Sequence, residues 1–341
     1  MAVLLLLLVG APAAAPTAAS TYRAAVVQFA PARVPFTNTS RAEALQLQLK
    51  NVDRMGRWMA AAKANGSDIV VFPESAIGSC PGPDTDDEGW TRDSILPYLE
   101  PVPTPTSPPT VLCDLGPAAR AAAPVSTELS CLARQHRIAS VFGAPDRLRA
   151  SFLAGLRYPR RCRCVADLGD VQPCSGGGGG GKGVPVKGGC RADGRAQFNT
   201  AVAFDSDGAL LEKYHKHHLF KEQAWFDVDA DLTRKGRFEP AGLGVRFGLF
   251  ICYDIEFERA EPHDGVTDFA FPTFWGPEGA AREQQRWSAE HGVNLLAANI
   301  GGLRTSGFGI WSSGTALASH TDPLKRAVDK MLVADVPRAG R

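Results

Sequence analysis

An α/β fold with a sheet covered on both faces is what the 341-residue chain predicts, on three features. Short, nearly continuous apolar runs at Arg23–Phe29 and Asp68–Phe72 read as buried strands. A helical period joins them through Arg41–Ala64, and strand and helix patterns alternate again from Asn199 to Val336. Continuous apolar strands separated by helices belong to sheets buried on both sides, because in/out alternation is kept only where one face meets water.

In order, the first strand is followed by a helix with Leu45, Leu49, Val52, Met59 and Ala60 at helical spacing, and Gly66 ends it. Asp68–Phe72 then completes a β-α-β unit and runs straight into Pro73-Glu74. A surface excursion rich in proline and alanine spans 97–124, before a helix around Glu128–His136. From Ser140 to Cys164 the pattern degrades into mixed arginines, and Ser175–Gly189 is a glycine run with two lysines, expected as a solvated linker. It is not a phosphate loop, since no strand leads in and no Gly-Lys-Ser/Thr closes it. Asn199–Phe204 and Ala209–Lys213, joined by Asp205-Ser206-Asp207-Gly208, read as a β-hairpin. Beyond it the chain shows Gly248–Ile251, Asp268–Thr273, a helix at Ala280–His291, Asn294–Asn299, Phe308–Trp311 and Lys330–Val336.

With 44% hydrophobic and 21% charged residues and a net charge of +1, the chain has a large core and no field suited to a polyanion, so no nucleic-acid partner is expected. Residues 1–20 read as a secretory signal peptide, with an apolar core at Val3–Val9 followed by small residues. That core is far short of the roughly 20 residues of a membrane span. The sequons at Asn38 and Asn65 fit a secreted, glycosylated chain. In that compartment most of the eight cysteines would be paired, and spacing alone leaves their connectivity open. No paired C-x-x-C motifs suggest a zinc site.

Three strand ends present reactive groups: Glu74 after DIVVFP, Lys216 within KYHKHHLF, and Cys252 in FICYD. Singly, each has an ordinary explanation: a capping carboxylate, an exposed basic loop, a buried core thiol. Together they describe a proton carrier, a fixed cation and a nucleophile, the equipment for acyl transfer from an amide. Asp254 reads as rim structure. A histidine-paired thiol protease is a poorer fit, because the histidines nearest in pattern flank Lys216.

These motifs, with FPTFW at Phe271–Trp275, NLLAAN at Asn294–Asn299, DGRAQFNT at Asp193–Thr200 and SGFGI at Ser306–Ile310, resemble the nitrilase superfamily of carbon-nitrogen hydrolases, in its vanin and biotinidase branch. The resemblance runs in order from Arg23 to about Val336. It implies a four-layer α-β-β-α sandwich and a Glu74–Lys216–Cys252 triad, with Glu222 as a second glutamate orienting the site. Phe274 and Trp275 are expected as walls of the substrate pocket. Cys113 with Cys131, and Cys174 with Cys190, are implied disulfides. No cofactor or metal is implied, and the substrate is a small linear amide: pantetheine, for which the vanin-like KYHK speaks, or alternatively biocytin and biotinyl amides. An inactive secreted member acting as a binding protein is the reading from a different class.

Two departures from the branch are expected. Insertions are placed at 140–164 and 175–189, within a hydrolase domain spanning 21–341. The C-terminal β domain and lipid-anchor signal of the branch are not expected in a sequence that ends at Arg341.

Overall fold

The computed structural model describes residues 20–32, 39–78, 91–149, 195–259, 265–275, 279–301, 307–321 and 329–338, with the backbone of short strands at 163–165, 171–173, 185–186 and 189–190. Residues 1–19 of the expected signal peptide 1–20, Asn38, Ser306, Cys80, Cys162 and Cys174 lie outside the described residues, as does most of the glycine run.

β1 (Thr21–Gln28) leads into α1 (Arg41–Ala64), whose start is fixed by a reciprocal cap: the Ser40 hydroxyl accepts from the Glu43 N–H while the Glu43 carboxylate accepts from the Ser40 N–H. Gly66, at φ +79, turns the chain out of the helix into β2 (Ile69–Val71), which pairs parallel with β1. α2 (Pro124–His136) is capped at its first turn by the buried Glu100 carboxylate, which accepts from the N–H groups of Val125 and Ser126. β3 (Ala139–Arg149) then pairs parallel with β2. The hairpin of β4 (Arg195–Phe204) and β5 (Leu210–His215) completes this sheet, together with β12 (Lys330–Pro337), which returns to pair antiparallel with β1. The order is β12-β1-β2-β3-β4-β5.

A second six-stranded sheet runs in chain order through β6 (Gly236–Phe238), β7 (Phe247–Leu249), β8 (Asp268–Thr273), β9 (Asn294–Asn299), β10 (Phe308–Ser312) and β11 (Thr315–His320), with β7, β8 and β9 parallel. α3 (Ala280–His291) precedes β9.

Strand alternation sets the layers. Along β1, Ala24 and Val26 join Ile69, Val71 and Val141 against Phe247, Leu249, Phe269 and Leu296 of the other sheet. Ala25 and Val27, on the opposite face, pack with Val70 and Phe72 against Val52, Met55 and Met59 of α1 and Leu129 of α2. Trp287 of α3 lies on Phe250 and Phe269 and covers the second sheet. The result is the expected α-β-β-α sandwich. Each fully buried Val, Leu or Phe contributes roughly 1.5–3 kcal/mol, so the inter-sheet layer is the main source of stability.

Two expectations need correction. Residues 140–149, the front of the stretch placed at 140–164 as an insertion, belong to the 11-residue strand Ala139–Arg149 in the middle of the first sheet, where the sequence pattern showed no strand. Its polar and glycine positions are accommodated because they serve the site, as shown below. The buried seam of α1 is Ala44, Gln48, Asn51, Val52, Met55, Gly56, Met59 and Ala62, whereas Ala60 is exposed and Leu45 and Leu49 lie at the seam's edge. Gln48 and Asn51 are tolerated inside because they bond the backbone at Tyr98, Ala32 and Ile77.

Candidate active site

β5 runs in the same sense as β1, β2 and β3, because two antiparallel pairings separate it from β3. The segments leaving β2, β5, β7 and β8 bring their first residues together at one end of the two sheets.

Glu74 follows β2 after Phe72-Pro73, and the next residue, Ser75, has φ +55. The chain passes so close over β3 that a Cβ on Gly143 would lie 2.8 Å from the Glu74 Cα. Lys216 is the first residue after β5, its N–H donating to the Asn199 carbonyl at 2.8 Å. Cys252 opens a short 3-10 turn, Cys252–Glu256, with φ +48. Among the described residues, five non-glycine residues have positive φ, and three of them, Ser75, Lys221 and Cys252, adjoin or are site residues. Each left-handed residue costs on the order of 1–2 kcal/mol, and such strain persists only where the surroundings hold it.

The side chains meet at a buried ammonium. Lys216 Nζ donates to Glu74 Oε1 at 2.8 Å and to Glu222 Oε1 at 2.6 Å. Asn199 Nδ2 donates to Glu74 Oε1 at 2.6 Å and also to both oxygens of Glu222. Burial works to strip Lys216 of its proton, but the carboxylates of Glu222 and Glu74 overcome it and hold the ammonium well above its ordinary pKa. Glu222 is raised, first by burial and further by Glu74, with Lys216 opposing. The Cys252 thiol, only 7% exposed, is also raised: burial and the Glu74 charge outweigh the nearby ammonium. Its Sγ donates to the Phe274 carbonyl at 3.5 Å.

Burial and the Glu74 charge thus favour the protonated thiol, and nucleophilic chemistry at this position calls for a neighbouring group able to accept its proton. Glu74 Oε2 is buried and has no hydrogen-bond partner among the described groups, which leaves it as the vacant acceptor. Both oxygens of Glu222, by contrast, are engaged by Asn199.

The structure thus brings together Glu74, Lys216, Glu222 and Cys252. Phe274 touches Sγ through its carbonyl, and Trp275, partly buried, is held by its N–H on Asn299 Oδ1. Cys113 and Cys131 are bonded, whereas the pairing of Cys174 with Cys190 lies outside the described residues. Asp254 is not at a rim: it is fully buried beneath the Cys252 turn, because every polar group it meets there is a donor.

The family model of carbon-nitrogen hydrolases matches residues 180–261, which hold Lys216, Glu222 and Cys252. The chain is 32% identical to pantetheinase of Mus musculus over 312 residues, covering 87% of this chain and 51% of that one. It is 34% identical to biotinidase of Rattus norvegicus over 276 residues, covering 78% and 44%. The chain thus carries a match to the carbon-nitrogen hydrolase domain and is similar over most of its own length to pantetheinases and biotinidases. It spans about half the length of the curated relatives it matches. In fold, a double mutant of the amidase from Nesterenkonia sp. AN1, solved in complex with acrylamide, superposes with a TM-score of 0.56 at 17% identity over 94% of this chain and 92% of that one.

Sequence reasoning missed one member of this cluster, Asn199. It joins both glutamates and, through its carbonyl, the lysine backbone. The available signal was a polar amide at the start of the apolar run NTAVAF, on the strand that pairs with the one delivering Lys216.

Proposed function

We propose that the chain is a secreted amidohydrolase that cleaves a small linear amide through a thioester on Cys252, with pantetheine as substrate and pantothenate and cysteamine as products. The observation that carries the reading is the buried Glu74 Oε2, without a hydrogen-bond partner among the described residues, near the buried Cys252 thiol and a lysine fixed by two carboxylates. Glu74 takes the thiol proton as Sγ bonds to the amide carbonyl carbon. The oxyanion is met by the Lys216 ammonium and a backbone N–H, where one lost donor typically costs on the order of a hundred- to a thousandfold. Glu74 returns the proton to the departing amine as the C–N bond breaks. It then deprotonates the water that attacks the thioester, and the thiol regains the proton.

The address is supported by the Cys113–Cys131 disulfide, since such bonds persist in oxidising compartments. Among the described residues no helix is long and apolar enough to cross a membrane. Asn65 is exposed at the end of α1, its Nδ2 donating to the Ala61 carbonyl at 2.8 Å.

Similarity to biotinidases supports biotinyl amides as the second reading. Incubation with pantetheine and, separately, with biocytin decides between them, by cysteamine or lysine released. Pantetheine turnover that disappears in Cys252→Ser is the expected result. Preferential biocytin turnover replaces the substrate, and undiminished activity in Cys252→Ser sinks the mechanism.

A further inference from the structure

Asp254 is a fully buried carboxylate two residues past the nucleophile, and the proton transfers above do not use it. Four donors converge on it. Oδ2 accepts from the Ile251 N–H and from the Tyr214 hydroxyl, each at 3.0 Å. Oδ1 accepts from the His218 N–H at 2.8 Å and from His218 Nδ1 at 2.9 Å. The Asp254 N–H donates back to the Ile251 carbonyl at 3.0 Å, so the two residues close a ring around Cys252. The His218 ring, bonded on one side, is stacked on Phe257 at 4.0 Å on its face, which fixes its rotamer.

These partners are not scattered. Ile251 immediately precedes Cys252, while Tyr214 and His218 stand two residues before and two after Lys216. One carboxylate therefore ties the strained nucleophile turn of the second sheet to both sides of the lysine of the first. Four hydrogen bonds converging on the two oxygens of one side chain hold it in one place.

We propose that Asp254 is a positioning residue that sets the distance between Cys252 and Lys216, acting on turnover rather than on substrate capture. The inference rests on the amidase reading for its substrate, but the thiol's own reactivity tests it independently. In Asp254→Asn the amide can turn its oxygen to the two His218 donors. Its NH2 then faces the tyrosine oxygen and leaves the Ile251 N–H without an acceptor, so the turn under Cys252 is released while the shape is kept.

The test measures kcat and KM for pantetheine, and the rate of iodoacetamide alkylation at Cys252 followed by peptide mapping, each per titratable Cys252. The expected result is a kcat lowered ten- to a hundredfold with KM within twofold, and alkylation slowed at least fivefold. A merely structural role would lower the melting temperature and the titratable fraction while leaving the rates per thiol unchanged, and that outcome overturns the proposal. If the wild type hydrolyses no amide, the amidase reading fails, and the alkylation rate alone decides: slowed supports positioning, equal or faster overturns it. Should Asp254→Asn not yield folded protein, Tyr214→Phe removes one donor and keeps the ring. Alkylation slowed at least threefold in that variant supports the proposal, and a wild-type rate overturns it.

Discussion

Replacing Gly143 by alanine is expected to disable the proposed amide hydrolysis without touching a reacting group. A Cβ at this position would lie 2.8 Å from the Glu74 Cα, 2.9 Å from the Pro73 carbonyl oxygen and 2.9 Å from the Ser75 nitrogen. Carbon atoms pack at about 3.5–4.0 Å, so the backbone at 73–75 must retreat by roughly 0.6–1 Å. All three obstructing atoms are backbone, and no rotamer change relieves them. A displacement near 1 Å at a catalytic group costs on the order of a hundredfold, and overpacking adds about 1–3 kcal/mol of destabilisation. Steady-state hydrolysis of pantetheine by Gly143→Ala should show kcat down about a hundredfold, with most of the protein still folded by circular dichroism. Gly116→Ala serves as the control, since a Cβ there meets nothing within 4 Å. A Gly143→Ala enzyme with wild-type kcat would refute the placement of Glu74 over β3.

Asn199→Asp sets a third carboxylate against Glu74 and Glu222 in place of an amide donor, and kcat measured with pantetheine should fall on the order of tenfold to a hundredfold. Asp146 concerns acid stability. Burial would raise its pKa, but Lys213 and His215 hold it below the usual carboxylate value, so its stabilisation is present above an unfolded pKa of about 3.9 and is lost as pH falls through the lower folded value. Urea unfolding of the wild type should weaken below about pH 4. Asp146→Asn should be less steep there, and about 3–5 kcal/mol less stable at neutral pH because Lys213 loses its carboxylate. Removing the Cys113–Cys131 bond by Cys113→Ser with Cys131→Ser opens a loop of sequence separation 18 and should cost about 3 kcal/mol, read as a lowered melting temperature.

The alternation of apolar strands and helices is legible wherever packing alone chooses the residues. Arg41–Ala64 is helical over that span, and the hairpin around Asp205–Gly208 pairs as its turn chemistry requires, with Gly208 at φ +90. β3 was obscured for a specific reason. Gly143 sits there to let the Glu74 segment pass, and Asp146 to hold Lys213 and His215, so the strand carries the site's demands instead of an apolar run. The seam of α1 shifted similarly, because Gln48 and Asn51 are buried by their bonds to backbone rather than by hydrophobicity. In the site, Glu74, Lys216 and Cys252 stood out because reactive groups at strand ends are conspicuous. Asn199 and Asp254 did not, because their importance lies in partners up to 125 residues away along the chain.

The central claim is a covalent thioester on Cys252. It is tested most directly by acid-quenching the enzyme within one turnover of pantetheine and mapping its peptides by mass spectrometry. The account predicts a pantothenoyl group on the peptide carrying Cys252, formed as cysteamine is released and lost as pantothenate accumulates. Turnover proceeding with that peptide unmodified at every quench time, and persisting in Cys252→Ser, would contradict it.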